Sequence, residues 1–217
     1  MKTTTMKKSI FKFLTISMLS LAVVSCKNKA EEAKTTEATE ATEAQASSVK
    51  YMANPANTLI EWAGYKPTGE HFGTIMLESG VFTVNDGKIE SGTFIINMAS
   101  LKDYDGSAKL EGHLKSADFF DVEKHPSAAF EITGFEKVDG KMMLSGNLAL
   151  KEKKNNVTFP VTLSEKDDIF TITSEKFTID RSKWDVKYGS KSFFDNLGDK
   201  FINDDIELKI VVNAKKS

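Results

Sequence analysis

Hydrophobic and polar residues alternate through most of the chain after residue 48. The clearest runs place these residues on one face each: Val157, Phe159, Val161 and Leu163, and Ile206, Leu208, Ile210 and Val212. A period of two is typical of a half-buried strand. Asn85-Asp86-Gly87 and Asp139-Gly140 separate further alternating runs, and Asp-Gly in that position predicts a hairpin turn. The pattern predicts about eight strands in a meandering antiparallel sheet.

A sheet with one apolar face must stack on another sheet or close on itself. We expect closure into an all-β, eight-stranded antiparallel barrel with its apolar face inward. Eight strands enclose room either for packed side chains or for one small ligand, and the pattern alone leaves both outcomes open. Residues 110–126 break the alternation, which predicts a short helical or irregular segment there.

Several large apolar side chains are candidates for the barrel interior. Those on the apolar faces are Trp62, Phe82, Phe94, Phe130, Leu148 and Phe159. Each is expected to be a core residue first and a ligand contact second. Phe119 and Phe120 lie next to each other on the irregular segment, so they are candidates for a cavity wall or lid. The alternative is that both plug one end of the barrel.

Arg181 is the only arginine in the chain, against 28 lysines. A guanidinium group suits a phosphate or carboxylate headgroup because its donors form a planar fork. The alternative is that Arg181 pairs with Asp180, Asp185 or Asp199 and holds the C-terminal loop in place.

The sequence carries little that indicates a metal site or an enzyme. His71, His113 and His125 are far apart and show no metal-binding spacing. His71 lies on the same strand face as Gly73, Ile75 and Leu77. This predicts a buried, hydrogen-bonded histidine that faces the interior, and His71 is therefore also a candidate ligand contact. No Gly-x-Ser-x-Gly elbow, catalytic cysteine or phosphate loop is present. We therefore expect no catalytic residues, no metal and no cofactor.

The N-terminal residues have the parts of an export signal. Four lysines precede or begin the apolar stretch from Phe11 to Val24, and this stretch is shorter than the roughly 20 residues that a bilayer span needs. Val-Val-Ser-Cys at 23–26 resembles the bacterial lipobox. We expect cleavage of residues 1–25 and acylation of Cys26, with an ordinary secretory signal as the alternative. The protein would then be anchored in the cell envelope.

Residues 27–48 contain no aromatic residue and no Leu, Ile, Val or Met. Such a composition predicts that residues 26–48 form a lipidated cysteine followed by a disordered Thr/Glu/Ala tether. The folded domain should span residues 49–217, which carry 22 basic and 26 acidic residues and a net charge of −4. A mildly acidic domain without a basic run argues against a nucleic-acid partner.

Several motifs occur in order along the chain: His-Leu-Lys-Ser-Ala-Asp-Phe-Phe-Asp at 113–121, Glu-Lys-His-Pro at 123–126, Ser-Gly-Asn-Leu-Ala-Leu at 145–150 and Ile-Asp-Arg-Ser at 179–182. Together they resemble the YceI-like family. Three further motifs are similar to a lipoprotein branch of that family found in Bacteroidetes: Glu-Trp-Ala-Gly at 61–64, Gly-Glu-His-Phe-Gly at 69–73 and Tyr-Gly-Ser-Lys-Ser-Phe-Phe-Asp at 188–195. The resemblance covers residues 50–214. It implies a lipocalin-like barrel whose elongated apolar cavity takes a polyisoprenoid, such as an isoprenoid quinone or a polyprenyl phosphate, or a similar long lipid.

Three functions are consistent with these expectations. We favour a lipid carrier, reservoir or stress-protective binder that is anchored through Cys26 to the outer membrane, on its periplasmic face or at the cell surface, with the inner membrane as the alternative. A filled barrel acting as a structural or protein-interaction module is the second hypothesis. A hydrolase or isomerase of an isoprenoid is the third. A homodimer is left open.

Overall fold

A computed structural model describes residues 30–217. Within this range the strands are β1 (Glu31–Glu32), β2 (Lys34–Glu37), β3 (Val49–Ala53), β4 (Leu59–Lys66), β5 (Gly69–Asn85), β6 (Lys88–Asp103), β7 (Ser127–Val138), β8 (Lys141–Leu150), β9 (Lys153–Lys166), β10 (Ile169–Ser174), β11 (Phe177–Asp180) and β12 (Asp205–Lys216), with one α-helix, α1 (Ala108–Lys115). In this part of the chain no helix is long and apolar enough to cross a bilayer.

The main strands of the described chain close into a ring with eight positions. Antiparallel pairing runs from β5 through β6, β7, β8 and β9 to β10. β12 pairs with β10 and β11 on one side and with β3 and β4 on the other, and β3 and β4 both return to β5. β10 and β11 therefore share one position in the ring, and β3 and β4 share another. The predicted all-β barrel is confirmed.

Hairpin turns occur where the Asp-Gly pairs predicted them. Asp86 and Gly87 have φ angles of 48° and 73°, and Asn85 pairs with Lys88 across the turn. Asp139 and Gly140, with φ angles of 50° and 85°, connect β7 to β8 in the same way. Positive φ at both central residues is the geometry of a type I′ turn, whose twist matches that of the flanking strands.

The irregular segment after β6 forms a cap over one end of the ring. Ser107 is the N-cap of α1, and its hydroxyl accepts a hydrogen bond from the Leu110 N–H, which satisfies one of the free donors of the first turn. Tight turns follow the helix, with the Phe120 N–H bonded to the Leu114 carbonyl. The predicted short helical segment within 110–126 is confirmed.

Residues 31–48, which we call the strap, lie along the outside of the barrel. β1 pairs in parallel with β11, and β2 pairs antiparallel with β9. Between them Ala33 is buried and donates its N–H to the Thr178 carbonyl at 2.8 Å. The strap thus bridges β9 and β11. The prediction of a disordered tether is wrong for Glu31–Glu32 and Lys34–Glu37, which are strands, and the ordered chain begins before residue 49.

Side chains on the outer face of the barrel hold the rest of the strap. Asn147 accepts a hydrogen bond from the Thr39 N–H at 3.0 Å and donates to the Thr39 carbonyl at 2.6 Å. Its side-chain amide therefore forms the pair of hydrogen bonds that the backbone of a neighbouring strand would form. Asn156 donates to the Asn147 side chain at 3.1 Å. Farther along, Glu90 accepts hydrogen bonds from the Gln45 N–H and the Ser48 hydroxyl. Since these contacts use backbone and polar groups, an apolar pattern could not predict them.

The predicted cleavage of residues 1–25 and acylation of Cys26 fall outside the described residues. Both stay predictions.

Candidate functional site: an apolar cavity in the barrel

The ring encloses a cavity of about 390 Å³, within the 300–1,000 Å³ range of typical ligand pockets. Its walls are inward side chains from β4 to β12, and nearly all of them are apolar. The alternating faces identified from the sequence supply most of this wall, including Leu144, Val157, Phe159, Leu208 and Val212. The interior is therefore not filled by its own side chains, which argues against the packed-barrel alternative.

Nine of the ten side chains singled out as ligand contacts line the cavity. They are Trp62, His71, Phe94, Phe119, Phe120, Phe130, Leu148, Phe159 and Arg181. Phe159 stacks on Phe177 with ring centroids 4.2 Å apart and an interplanar angle of 4°. This pair lies on β9 and β11, the two strands that the strap bridges from outside. Contact of these residues with a ligand stays a prediction.

Phe82 is the exception, because it is fully buried outside the cavity lining. Its ring lies 5.5 Å from Tyr51, 6.0 Å from Phe94 and 5.5 Å from Phe170. This aromatic cluster fills the barrel near the β5–β6 and β9–β10 turns. Phe82 thus belongs to this packed end and not to the cavity wall, and its contact with a ligand stays a prediction.

Tyr51 links that packed end to a surface carboxylate. Its hydroxyl donates to Glu165 Oε1 at 2.7 Å. Burial and the hydrogen bond to Glu165 raise the pKa of Tyr51 to about 12, because both disfavour the phenolate. The cavity is therefore closed at this end by a hydrogen-bonded aromatic cluster.

Phe119 and Phe120 close part of the opposite end. Their rings meet edge to face with centroids 5.0 Å apart, and both residues are buried. Both also line the cavity, so the segment after α1 forms a wall of the cavity as well as a plug. This arrangement combines the two alternatives that the sequence left open.

Arg181 is buried, and its donors are directed at the C-terminal loop. Nε donates to the Asn203 carbonyl, Nη1 to Val186 and Nη2 to Ile202, at 3.1, 2.6 and 3.2 Å. Nη2 also lies 3.3 Å from the Asp204 carboxylate. Burial lowers the pKa of Arg181, and the nearby carboxylates of Asp204 and Asp180 oppose this effect.

The geometry at Arg181 fits the loop-holding alternative. The acid that lies against the guanidinium is Asp204, which differs from the prediction of Asp180, Asp185 or Asp199. Arg181 also lies 5.2 Å from the centre of the Phe119 ring, within the range of a cation–π contact. Arg181 therefore lies beside the cavity and supports the cap through Phe119.

Polar lining residues gather at one end of the cavity. Lys66 ends β4, His71 is near the start of β5, and Lys200 and Asn203 precede β12. The Gly64–His71 and Gly64–Ile206 pairs bring these elements together. Lys66 and Lys200 are exposed, so this end is a polar rim. Loop residues such as Lys200 and Asn203 carry no periodic signal, and sequence reasoning missed them.

Residues 51–214 match the YceI-like domain family. A UPF0312 protein from Azotobacter vinelandii is 32% identical over 96 residues, which cover 44% of this chain and 48% of that protein. Protein YceI from Salmonella arizonae is 32% identical over 95 residues, again 44% and 48% of the two chains. The chain thus aligns with about half the length of the curated relatives it matches.

Solved structures show the same fold. BcnA from Burkholderia cenocepacia superposes with a TM-score of 0.62 at 22% identity, over 74% of this chain and 98% of the other. A polyisoprenoid-binding domain from Saccharophagus degradans gives a TM-score of 0.56 at 11% identity, over 78% and 99%. These structures share the fold, and the match over residues 51–214 shows that the chain belongs to the YceI-like family.

Proposed function

We propose that this protein binds a polyisoprenoid or a similar long-chain lipid inside the barrel and serves as a carrier, reservoir or protective binder in the cell envelope. The observation that carries the proposal is the apolar cavity of about 390 Å³ with its polar rim. A lipid suits this site because its hydrocarbon tail matches the apolar cavity and its polar headgroup matches the polar rim. The polyisoprenoid-binding domain from Saccharophagus degradans, which shares the fold, supports the choice of ligand class.

Burial of a tail in such a cavity is favourable without specific polar contacts. Each buried CH₂ group contributes about 0.8 kcal/mol, and the costs of association and ordering reduce the net affinity well below the sum. Polar groups at the rim can then discriminate between headgroups such as a quinone and a phosphate. We infer a binding protein and not an enzyme, because the wall is nearly all apolar.

Anchoring through an acylated Cys26 is the second part of the proposal. The ordered strap begins at Glu31, five residues after Cys26, so an anchor there would hold the β9–β11 side of the barrel close to a membrane. Metabolic labelling with a palmitate analogue should modify the wild-type chain and not Cys26→Ala. Labelling of both chains, or of neither, would contradict the anchor but would leave the cavity proposal intact.

A pair of substitutions on one strand tests lipid binding. Leu144 lines the cavity, and its neighbour Met143 lies on the opposite face of β8. Leu144→Trp should fill the cavity and lower the affinity for a fluorescent polyprenyl lipid roughly tenfold or more, because buried tail groups lose their space. Met143→Trp should bind like the wild type. Equal affinity of the two variants, with both folded by circular dichroism, would refute binding in the barrel.

A further inference from the structure

Three potential ligand groups meet beside the rim of the cavity. His71 lies near the start of β5, Asp103 is the last residue of β6, and Asp105 follows two residues later. The β5–β6 register pairs Gly73 with Asp103, so residues far apart in sequence become neighbours. One ligand atom from each of His71, Asp103 and Asp105 lies within 4.8 Å of the others.

The two oxygens of the Asp103 carboxylate lie in different environments. Its side chain has no solvent exposure. Oδ2 accepts a hydrogen bond from the Ser107 N–H at 3.1 Å, whereas Oδ1 is buried and has no hydrogen-bond partner among the described residues. A buried, unsatisfied carboxylate oxygen is costly and rare, so this oxygen calls for a partner that residues 30–217 do not supply.

A ring nitrogen close to that oxygen also lacks a partner among the described residues. His71 Nδ1 lies 3.6 Å from Asp103 Oδ1, and it too is buried without a hydrogen-bond partner in the described chain. Two ligands of a tetrahedral zinc ion, with bonds of about 2.0–2.2 Å, are roughly 3.4 Å apart. The observed separation is too long for a good hydrogen bond and close to that of two ligands on one metal ion.

Charge at the cluster also favours a cation. Asp103 and Asp105 are both acids, and the nearby Lys102 is paired with Glu111 at 3.0 Å. Glu111 also accepts the Asp103 N–H at 3.2 Å, which fixes the end of β6. Two carboxylates beside one imidazole therefore favour a divalent ion at this position, since its charge would compensate theirs.

From these observations we propose that His71 Nδ1, Asp103 Oδ1 and an Asp105 carboxylate oxygen form a binding site for a divalent transition-metal ion, of which Zn²⁺ is the best fit. One nitrogen and two oxygen ligands suit zinc, and three protein ligands leave a fourth position for water. The Ser107 N–H orients the Asp103 carboxylate in the manner of an outer-shell partner. Histidine spacing alone led us to expect no metal, because the site depends on strand register.

The test is calorimetric titration of ZnCl₂ into the purified protein after treatment with EDTA and desalting. We expect a single saturable site in the wild type, weakened roughly tenfold or more by His71→Ala and by Asp103→Asn. Asp103→Asn is isosteric and keeps an acceptor for Ser107. His125→Ala is the matched control, because that histidine lies outside the cluster, and it should bind zinc like the wild type.

A second readout separates lost binding from lost folding. Zinc should raise the melting temperature of the wild type and of His125→Ala, but not that of His71→Ala or Asp103→Asn. Absence of saturable zinc binding in the wild type would overturn the proposal and leave His71 and Asp103 as a simple ion pair. Binding that survives in both cluster variants, or a site that takes Ca²⁺ but not Zn²⁺, would overturn it equally.

Discussion

The barrel has two surfaces of opposite chemistry. The inner cavity is lined almost wholly by apolar side chains, whereas the outer face of β8 and β9 presents the amides of Asn147 and Asn156. The strap of the same chain lies on this outer face, held by hydrogen bonds to its backbone. Hydrogen bonds have direction and apolar contact does not, so the outer face specifies one polypeptide path, whereas an apolar cavity can select only by size and hydrophobicity.

The largest expected effect concerns Arg181, a buried charge beside the cavity. Replacing it with Met removes the charge that faces Asp204 and leaves three carbonyls without their donor. We expect a loss of about 3–5 kcal/mol in the free energy of unfolding, measured by urea denaturation. Arg181→Lys keeps the charge without the planar fork, so it should lose less. If Arg181→Met unfolds at the wild-type urea concentration, the guanidinium does not hold the C-terminal loop.

A smaller effect is expected from crowding the cavity wall. A Cβ atom at Gly146 would lie 2.2 Å from the Phe130 ring, so Gly146→Ala must displace a side chain that lines the cavity. Overpacking of this kind costs about 1–3 kcal/mol. Gly134→Ala is the matched control on the adjacent strand, since the nearest atom to its Cβ would be 3.7 Å away. Equal unfolding free energies for the two variants would show that Phe130 is not fixed in the wall.

The attachment of the strap to the outer face of β8 and β9 can be weakened without touching the cavity. Asn147→Ala removes both hydrogen bonds to Thr39, for which we expect a loss of about 1–2 kcal/mol and faster proteolysis of the strap, followed by mass spectrometry. Asn155→Ala is the control, because that side chain donates to the Lys183 carbonyl and not to the strap. Lipid affinity should stay at the wild-type value in both variants. A strap that resists protease equally in both would contradict the role of Asn147.

The smallest effect is a titration at the packed end. Tyr51, one of four tyrosines, has its pKa raised to about 12. A raised folded-state pKa means that the neutral hydroxyl contributes stability below the ordinary value of 10.0, and that this contribution is lost as pH rises through about 12. Absorbance of phenolate should show a late step that Tyr51→Phe removes. A step of unchanged size in that variant would refute the assignment.

Sequence reasoning predicted the features that depend on apolar periodicity and turn chemistry. The strand faces, the Asp86-Gly87 turn and the segment of α1 belong to this class, because each has a local signal. The strap has no such signal, since Asn147 recognises the backbone of Thr39 whatever its side chain. The packed end was missed for a different reason. The alternating pattern placed Phe82 on the inward face of its strand but could not give its depth along the barrel axis.

Contacts that depend on strand register could not be predicted from the sequence either. His71 and Asp103 become neighbours only through the β5–β6 pairing and its register shifts, and Asp204 meets Arg181 only after the C-terminal loop folds back. A sequence names the residue types that can form such a site, whereas the strand register decides which of them meet.

The most direct test of lipid binding in the barrel is native mass spectrometry of the protein purified without detergent, followed by organic extraction and identification of any released lipid. We predict a discrete added mass that matches a polyisoprenoid or similar long-chain lipid and that is lost in Leu144→Trp but kept in Met143→Trp. A wild-type protein that stays at its apo mass after incubation with isoprenoid quinones and polyprenyl phosphates would contradict the account.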